Sequence, residues 1–445
     1  MALKSFILKL NNPHSINMIG NAIMSVLNML QVAILFNYLS ITQMGIWFFF
    51  QATIGLVDTL RAGLISTAFI TSYAGTVESR AREVAGSAWF LSIIITAIFI
   101  AVNMGYLALP YNFSDTGLNL FLTWMGLVFV LNLPSFLAAC VAQAEQRFDR
   151  LLYIRVVSTI ISILLVLSLI LFKKINLMNV IYAGFIAGGL TSLMTLVLGW
   201  SRVTTIVYRS KETMNAIFAF GKYSVGTALG SSMFRNSDTY IINFMLGPGS
   251  LAVYNLALRL MELVEIPMRS FAATIMPPLS AAYNQNNKPH VIQLLKKYAG
   301  MLTIILIPVV IGSLFFAEVA IWIVDKKYLS TEAANILRLL MTYALLMPIE
   351  RFMALTLDAI NKPKINMLKL IVMLAVNILG DFAGILIFGN VYGIAISGIL
   401  PVLTGFFISY HYLRQYYDFK IVDVYKVGYN ELKLLIKDYF YVKKL

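Results

Sequence analysis

The chain contains about a dozen apolar segments of about 20 or more residues, and these segments limit what it can fold into. Hydrophobic residues make up 60% of the 445 residues, charged ones only 12%, and the mean hydropathy is +0.81. A helix needs about 20 apolar residues to cross the ~30 Å bilayer core, where the backbone must satisfy its own hydrogen bonds. The sequence therefore predicts an all-α integral membrane protein with about twelve transmembrane helices. The spans are expected at 15–39, 43–73, 85–109, 118–142, 151–172, 177–200, 218–246, 250–282, 299–324, 334–360, 366–389 and 391–413.

Five arginines interrupt these apolar segments. A guanidinium at the bilayer centre costs about 2.5–3.5 kcal/mol even on the most lenient scale, and it cannot lose its charge. Five of them facing lipid would approach the total stability of a typical protein. They are therefore expected to face acidic partners or a water-filled interior, which favours an anionic transported compound. The five are Arg61, Arg235, Arg259, Arg269 and Arg351.

The basic residues of the loops predict the orientation. The side that carries both termini has 24 lysines and arginines, among them Lys288 and Lys369, against 5 on the opposite side. Cytoplasmic loops carry the excess of basic residues, so both termini are expected in the cytoplasm. This bias explains most of the net charge of +14 without any nucleic-acid partner. Residues 1–14 are expected to lie on the membrane surface and residues 414–445 to form a cytoplasmic basic tail.

The chain reads as a duplicated unit of six spans. A shift of 207 residues aligns Trp47 with Tyr254 and Asp58 with Glu265. Because six is even, both halves enter the membrane from the same side, which is a parallel repeat typical of secondary transporters. Chance similarity between apolar helices is the alternative. The predicted organisation is an N-lobe at 15–200, a linker at 201–217 and a C-lobe at 218–413.

Amide side chains follow one face of the first span. Asn17, Asn21, Asn28 and Gln31 fall within an arc of about 80° at 100° per residue. Such a stripe can hold helices together by hydrogen bonds, or it can line a wet cavity and bind sugar hydroxyls. Both interpretations remain open.

Charged residues recur close to one another in the sequence of four of the spans. Each pair could be a structural salt bridge, but repetition across four spans favours a charged interior cavity. Prolines within spans, such as Pro134 and Pro348, are expected to kink them. The recurring charges are Asp58 with Arg61, Arg235 with Asp238, Arg259 with Glu262 and Glu265 with Arg269, and Glu350 with Arg351.

The sequence contains no pattern that predicts enzymatic chemistry. It has no glycine-rich phosphate loop, no paired-histidine metal motif and no nucleophile elbow, and Cys140 is the only cysteine. No catalytic residue, metal or cofactor is therefore expected. Energy for transport would come from an H⁺ or Na⁺ gradient, the membrane potential or the substrate gradient.

Several segments together are similar to a known transporter family. The chain resembles the O-antigen and capsule flippase branch of the multidrug/oligosaccharidyl-lipid/polysaccharide exporter superfamily. The resemblance runs through the whole chain in order. It rests on Gly45 and Trp47, on the segment 143–148, on Asp238, Leu246, Gly247 and Tyr254, and on the turn 359–363.

The resemblance implies a fold and a function. It implies two six-helix lobes in a V and a bacterial inner-membrane flippase. By alternating access, the flippase would move an undecaprenyl-pyrophosphate-linked oligosaccharide to the periplasmic leaflet for O-antigen (lipopolysaccharide) or capsule assembly. A monomeric transport unit is expected, with membrane lipids, a polysaccharide polymerase and a chain-length regulator as further partners. The alternatives are an ion-coupled exporter of small amphipathic compounds and a membrane glycan ligase or transferase.

The expected site residues form two groups. The five arginines, with Asn21, Asn28 and Gln31, are expected to bind substrate. The acidic residues Asp58, Asp238, Glu262, Glu265 and Glu350 are expected to pair with the arginines or to carry a coupling ion.

Overall fold

The apolar segments fold as α-helices. The computed structural model of the protein describes residues 13–110 and 113–442, and it has no β-strand among them. Most of the predicted surface segment 1–14 and the last three residues of the tail lie outside the described residues. The all-α prediction is confirmed for the part of the chain that the structure describes.

The chain divides into two compact units, residues 1–233 and 234–445, and the division lies within one helix. Within the described part of unit 1, a short 3-10 helix at Val203–Tyr208 precedes the helix that crosses the division. Its α-helices are α1 Pro13–Tyr38, α2 Ile41–Tyr73, α3 Glu78–Leu107, α4 Thr116–Leu131, α5 Leu133–Ala144, α6 Phe148–Leu171, α7 Leu177–Val197 and the first part of α8 Lys211–Leu246.

Unit 2 begins within α8. Its described helices are α9 Pro248–Asn284, α10 Lys288–Val324, α11 Ala333–Ala344, α12 Met347–Ala359, α13 Pro363–Phe388, α14 Val391–Ser397, α15 Ile399–Arg414 and α16 Ile421–Val442.

The helix boundaries agree with the internal repeat. Helix α2 begins at Ile41 and α9 at Pro248, 207 residues later, which is the shift seen in the sequence. Each unit also has one bent pair in the same place: α4 and α5 meet at 52°, and α11 and α12 at 45°. Pro134 and Pro348 lie in the first turn of the second helix of their pairs, where proline suits a helix start and cannot continue a preceding helix.

The number of membrane spans follows partly from length and hydropathy. Among the described residues, eight helices are long and apolar enough to cross a membrane, and the two bent pairs would make ten. Helices α8 and α9, of 36 and 37 residues, are long enough as well but interrupted by charged side chains. The prediction of twelve spans is consistent with these helices and stays a prediction.

The predicted basic tail contains a packed helix. Helix α16 lies against α10. The backbones of Gly428 and Gly300 approach so closely there that a Cβ atom on either glycine would overlap the backbone of the other helix. Lys296 Nζ lies 3.3 Å from Asp423 Oδ2, and the Lys296 ammonium lowers the pKa of the Asp423 carboxyl through this hydrogen bond. A second ion pair joins Lys297 Nζ on α10 to Glu431 Oε2 on α16 at 2.6 Å. The described part of the tail is thus a docked element of unit 2.

A single arginine after α7 connects three helix ends of unit 1. Arg202 adopts a left-handed backbone conformation (φ 50°) and donates from Nη2 to Glu145 Oε1 at 2.9 Å and from Nη1 to Glu78 Oε1 at 3.1 Å. The hydroxyl of Tyr73 donates to the same Glu145 oxygen at 2.9 Å. The ends of α2, α3 and α5 are therefore held together by one guanidinium, which we call the Arg202 cluster.

Candidate functional site

Helix α2 carries the first charged pair predicted from the sequence. A capping box starts the helix: Ser40 Oγ accepts from the Gln43 N–H, and Gln43 Oε1 accepts from the Ser40 N–H. Four to five turns further on, Arg61 Nη2 lies 2.5 Å from Asp58 Oδ1. The predicted pairing of Asp58 with Arg61 is confirmed.

The two members of this pair differ sharply in exposure. The side chain of Arg61 is 3% exposed, whereas that of Asp58 is 42% exposed. The guanidinium carbon of Arg61 lies 4.1 Å from the ring centre of Phe136 and 5.1 Å from that of Phe129. Its Nε and Nη1 are buried and have no hydrogen-bond acceptor among the described residues. Asp58 is therefore the charged group that the surroundings can reach.

The bend between α4 and α5 explains where the guanidinium lies. Phe129 is near the end of α4 and Phe136 is in the first turns of α5, on either side of the break at Asn132. A cation over an aromatic face is attracted to the ring quadrupole by about 0.5–2 kcal/mol, more when it is shielded from water. The two rings thus compensate part of the cost of burying Arg61.

Two adjoining cavities lie beside this pair, both within unit 1. The first, of about 350 Å³, is lined by both charged groups and by Asn132, Ser135 and Gln51. The second, of about 250 Å³, shares Gln51 and Asn132 with the first. We call the two together the unit-1 cavity. Asp58 and Arg61 are the only charged residues in its described lining.

Amide, hydroxyl and aromatic groups complete the lining of the unit-1 cavity. Gln31 Nε2 on α1 donates to Ser162 Oγ on α6 at 2.9 Å. Gln51 is exposed, and its carboxamide has no partner among the described residues. The rings of Trp47 and Phe185 border the second cavity. A neutral polar pocket with aromatic walls suits a hydroxyl-rich ligand that also has apolar faces.

The amide stripe of α1 divides between two environments. Gln31 lines the unit-1 cavity, but Asn21 and Asn28 are exposed on the helix and do not border it. The side chain of Asn17 lies outside the described residues. Of the three amides expected to bind substrate, the structure brings only Gln31 to the unit-1 cavity.

The expected pair of Arg235 and Asp238 on α8 does not form, and this prediction is wrong. Arg235 is exposed and makes no ion pair with a described residue. Asp238 instead accepts from the Tyr254 hydroxyl at 2.6 Å and from Asn377 Nδ2 at 2.7 Å. Asp238 therefore hydrogen-bonds to residues of α9 and α13 instead of pairing with Arg235 on its own helix.

A second buried carboxyl adjoins Asp238. Asp381 on α13 is 0% exposed; it accepts from Ser397 Oγ at 2.7 Å and from Asn377 Nδ2 at 3.2 Å. One carboxamide thus links two acidic side chains, and neither has a basic partner among the described residues. The two carboxyls therefore form one acidic pair around Asn377.

Sequence reasoning did not include Asp381 or Asn377 among the site residues, although a signal was present. The two lie four residues apart in an apolar helix, so they share one face. An ionisable residue within a membrane span is a functional candidate by default. The arginines were chosen because they are charged residues within apolar spans, and the same criterion applies to Asp381.

The pairing expected for Glu350 and Arg351 is also wrong. Adjacent helical residues point about 100° apart and cannot face each other. Glu350 Oε1 instead lies 2.6 Å from Lys369 Nζ, which also donates to Ser409 Oγ at 3.2 Å, whereas Arg351 is exposed. Lys369 had been counted among the loop lysines, but it is buried within α13.

Helix α9 carries two local ion pairs on an exposed face. Arg259 Nη1 lies 2.9 Å from Glu262 Oε1, and Arg269 Nη2 lies 2.6 Å from Glu265 Oε2. The side chain of Arg269 is 69% exposed, so its guanidinium is open to a further ligand. These four residues belong to unit 2 and do not border the unit-1 cavity; their role in substrate binding stays a prediction.

No group of three or more histidine, cysteine, aspartate or glutamate side chains suited to a metal ion occurs within residues 13–110 and 113–442. Cys140 is buried in α5.

Comparisons with known proteins connect this architecture to transport. The chain is 24% identical over 392 residues to the probable low-salt glycan biosynthesis flippase Agl15 of Haloferax volcanii, covering 86% of this chain and 79% of that protein.

Solved structures share the fold. The inward closed conformation of the lipid II flippase MurJ matches with a TM-score of 0.72 and 18% identity, covering 95% of this chain and 92% of that one. An inward-facing multidrug resistance MATE family transporter of the MOP superfamily matches with a TM-score of 0.71 and 16% identity, covering 88% of this chain and 95% of that one. These likenesses show that the chain shares the fold of these two proteins.

A family model agrees with the resemblance seen in the sequence. The model described as "polysaccharide biosynthesis protein" matches residues 34–330, which is more than half of the 445 residues and includes α2, the bent pair α4–α5 and α9. The chain therefore belongs to the family of polysaccharide biosynthesis proteins and has the fold of the MOP exporter superfamily.

Proposed function

We propose that this protein is a flippase for a lipid-linked oligosaccharide. It would move the polyprenyl-pyrophosphate-linked sugar from the cytoplasmic to the outer leaflet by alternating access, for O-antigen or capsule assembly. The single observation that carries the proposal is the unit-1 cavity, a polar pocket inside a bundle of apolar helices with an ion pair of which only Arg61 is buried. An apolar bundle has no packing reason to keep such a cavity, so a polar ligand is the physical explanation.

The exposed arginines can bind the phosphate groups of this substrate. A diphosphate carries at least two negative charges, and guanidinium groups bind its oxygens by charge-assisted hydrogen bonds. Arg235, Arg269 and Arg351 are exposed, and Arg259 is 39% exposed, so each can reach such a ligand. In this proposal these arginines of unit 2 bind a diphosphate group.

We further propose that transport is coupled to H⁺ or Na⁺ at Asp238 and Asp381. The support is that two buried carboxyls share Asn377 without a basic partner among the described residues. A proton or sodium ion would balance them, and its release would change the packing of α8 against α13. Asn in place of Asp381 is expected to abolish the dependence of flipping on an ion gradient.

The basic-residue bias supports a membrane orientation with both termini in the cytoplasm. A cysteine introduced at Lys288 is expected to react with an impermeant reagent only in inverted vesicles. Labelling in intact cells would contradict the proposed topology and therefore the proposed direction of flipping. The bacterial inner membrane as the location stays part of the proposal.

An ion-coupled exporter of small amphipathic compounds is the second candidate. The MATE-type fold and the aromatic lining at Trp47 and Phe185 favour it. Drug-resistance profiling of cells that overproduce the protein separates the two, because a flippase is expected to leave drug tolerance unchanged.

The experiment that tests the flippase uses purified protein in liposomes with a fluorescent lipid-linked oligosaccharide. Wild-type protein is expected to move the label between leaflets, measured by its protection from an external glycosidase. The double variant Asp58→Asn/Arg61→Gln removes both charges, so it avoids the buried, unpaired guanidinium that Asp58→Asn alone would leave. It is expected to fold and to fail in flipping, whereas full flipping would show that this pair does not handle substrate.

A further inference from the structure

The exposed groups of the unit-1 cavity are hydrogen-bond acceptors and amides rather than cations. Arg61 is 3% exposed and covered by Phe129 and Phe136, whereas Asp58 is 42% exposed. The Nε and Nη1 atoms of the guanidinium are themselves buried. A ligand that enters the cavity therefore meets a carboxylate first.

From this asymmetry, we infer that the unit-1 cavity binds an uncharged sugar residue whose hydroxyl groups donate to Asp58, and that it excludes acidic sugars and the diphosphate. The inference rests on the proposed flippase function. Arg61 is then a positioning residue: it holds the Asp58 carboxylate in place and balances its charge from behind, at 2.5 Å. A sugar hydroxyl gives the carboxylate the donor it lacks on its open side.

The remaining lining fits a sugar ring. The free carboxamide of Gln51 offers both a donor and acceptors, and Asn132 lies in both parts of the cavity. Trp47 and Phe185 provide apolar surfaces for the C–H groups of the ring. The larger part, of about 350 Å³, is near the lower end of the ~300–1,000 Å³ usual for ligand pockets, and the smaller part, of about 250 Å³, is below it. Each part therefore has room for one monosaccharide-sized group.

Charge excludes the anionic alternatives. An acidic sugar or a diphosphate would bring negative charge against the exposed face of Asp58, while the balancing guanidinium is shielded behind it. The net formal charge of the described lining is zero, since Asp58 and Arg61 are its only charged members. A phosphate group is therefore not expected to bind in the unit-1 cavity.

Protection of a reporter thiol tests this inference in the full chain. Cys140→Ala removes the native thiol, and Ser135→Cys places one in the cavity lining. Alkylation by N-ethylmaleimide is then measured with galactose, glucose, N-acetylglucosamine, galacturonate or inorganic pyrophosphate present. The neutral sugars are expected to slow labelling at concentrations at least about tenfold below galacturonate, and pyrophosphate is expected to give no protection.

Variants of the lining sharpen the test. Asp58→Asn is expected to raise the protecting concentration of the neutral sugars about tenfold, the loss expected for a hydrogen bond to a charged group. Gln51→Leu leaves the ion pair intact and is expected to weaken protection several-fold. Arg61→Lys is expected to retain part of the protection, because a lysine still offers a charge to Asp58. Glu318→Gln, which removes an exposed carboxylate on α10, is the matched control and should change nothing.

Two results would overturn the inference: equal or better protection by galacturonate or pyrophosphate, or no protection by any neutral sugar. Flipping of the lipid-linked oligosaccharide is measured on the same preparations. Intact flipping without neutral-sugar protection rejects the inference alone. Absence of flipping by wild-type protein rejects the proposed function.

Discussion

Replacing Lys369 by methionine is expected to destabilise unit 2 strongly. The ammonium lies 2.6 Å from Glu350 Oε1 and 3.2 Å from Ser409 Oγ, and the two charged side chains are only 7% and 17% exposed. Methionine keeps the length of the side chain but leaves a buried carboxylate without its partner. Breaking a buried pair in this way costs about 3–5 kcal/mol. At about 2–4 °C per kcal/mol for a unit of this size, the apparent unfolding temperature should fall by about 6–20 °C.

The double variant Lys369→Met/Glu350→Met separates the cost of an unpaired charge from the loss of packing. Replacing a buried pair by apolar groups of similar volume is often neutral or stabilising, so the double variant should recover most of the lost stability. Lys364→Met, an exposed lysine on the same helix, is the control and should have little effect.

Unfolding is followed by size-exclusion chromatography of heated, detergent-solubilised protein, with lipid and detergent held constant. The reasoning would be refuted if Lys369→Met behaved like Lys364→Met. It would also fail if the double variant were as unstable as the single one, because the damage would then come from shape and not from charge.

Three further predictions follow from the site, the loops and the tail. Gln31→Leu should lower polymer export because it removes a cavity amide, whereas Asn28→Leu should leave export nearly unchanged; equal losses would contradict this distinction. Arg202→Ala should open the Arg202 cluster, seen as faster proteolysis of the loop between α7 and α8, and unchanged cleavage would count against a clamping role. The pKa of Asp423 is lowered in the folded state by Lys296, so the docking of α16 should be favoured at neutral pH and weaken only as the pH falls below the usual 3.8 of a free aspartate. Cleavage within α16 by an acid-active protease measures this loosening.

Local contacts of the site could be predicted from the sequence. Asp58 and Arg61 are three residues apart, so helical geometry alone brings them together. The bends near Pro134 and Pro348 follow from the missing amide hydrogen of proline. The repeat could be detected because its shift of 207 residues also separates the starts of α2 and α9.

Contacts between helices could not be predicted in this way. Glu350 and Lys369 are 19 residues apart, and Asp238 and Asn377 are 139 apart. A helical wheel shows only neighbours within one helix. For Glu350 and Asp238, sequence reasoning therefore predicted the nearest arginine along the chain as the partner. The same limit applies to exposure, since rings from another span bury Arg61 and leave Asp58 open.

The close contact between Gly300 and Gly428 has a practical consequence for work with this protein. A chain cut after α15, on the view that the rest is an unstructured tail, would uncover a groove on α10 that was shaped to fit another backbone. Such a truncated protein is expected to aggregate on purification. A fluorescent or affinity tag is better added to a chain that keeps the whole of α16.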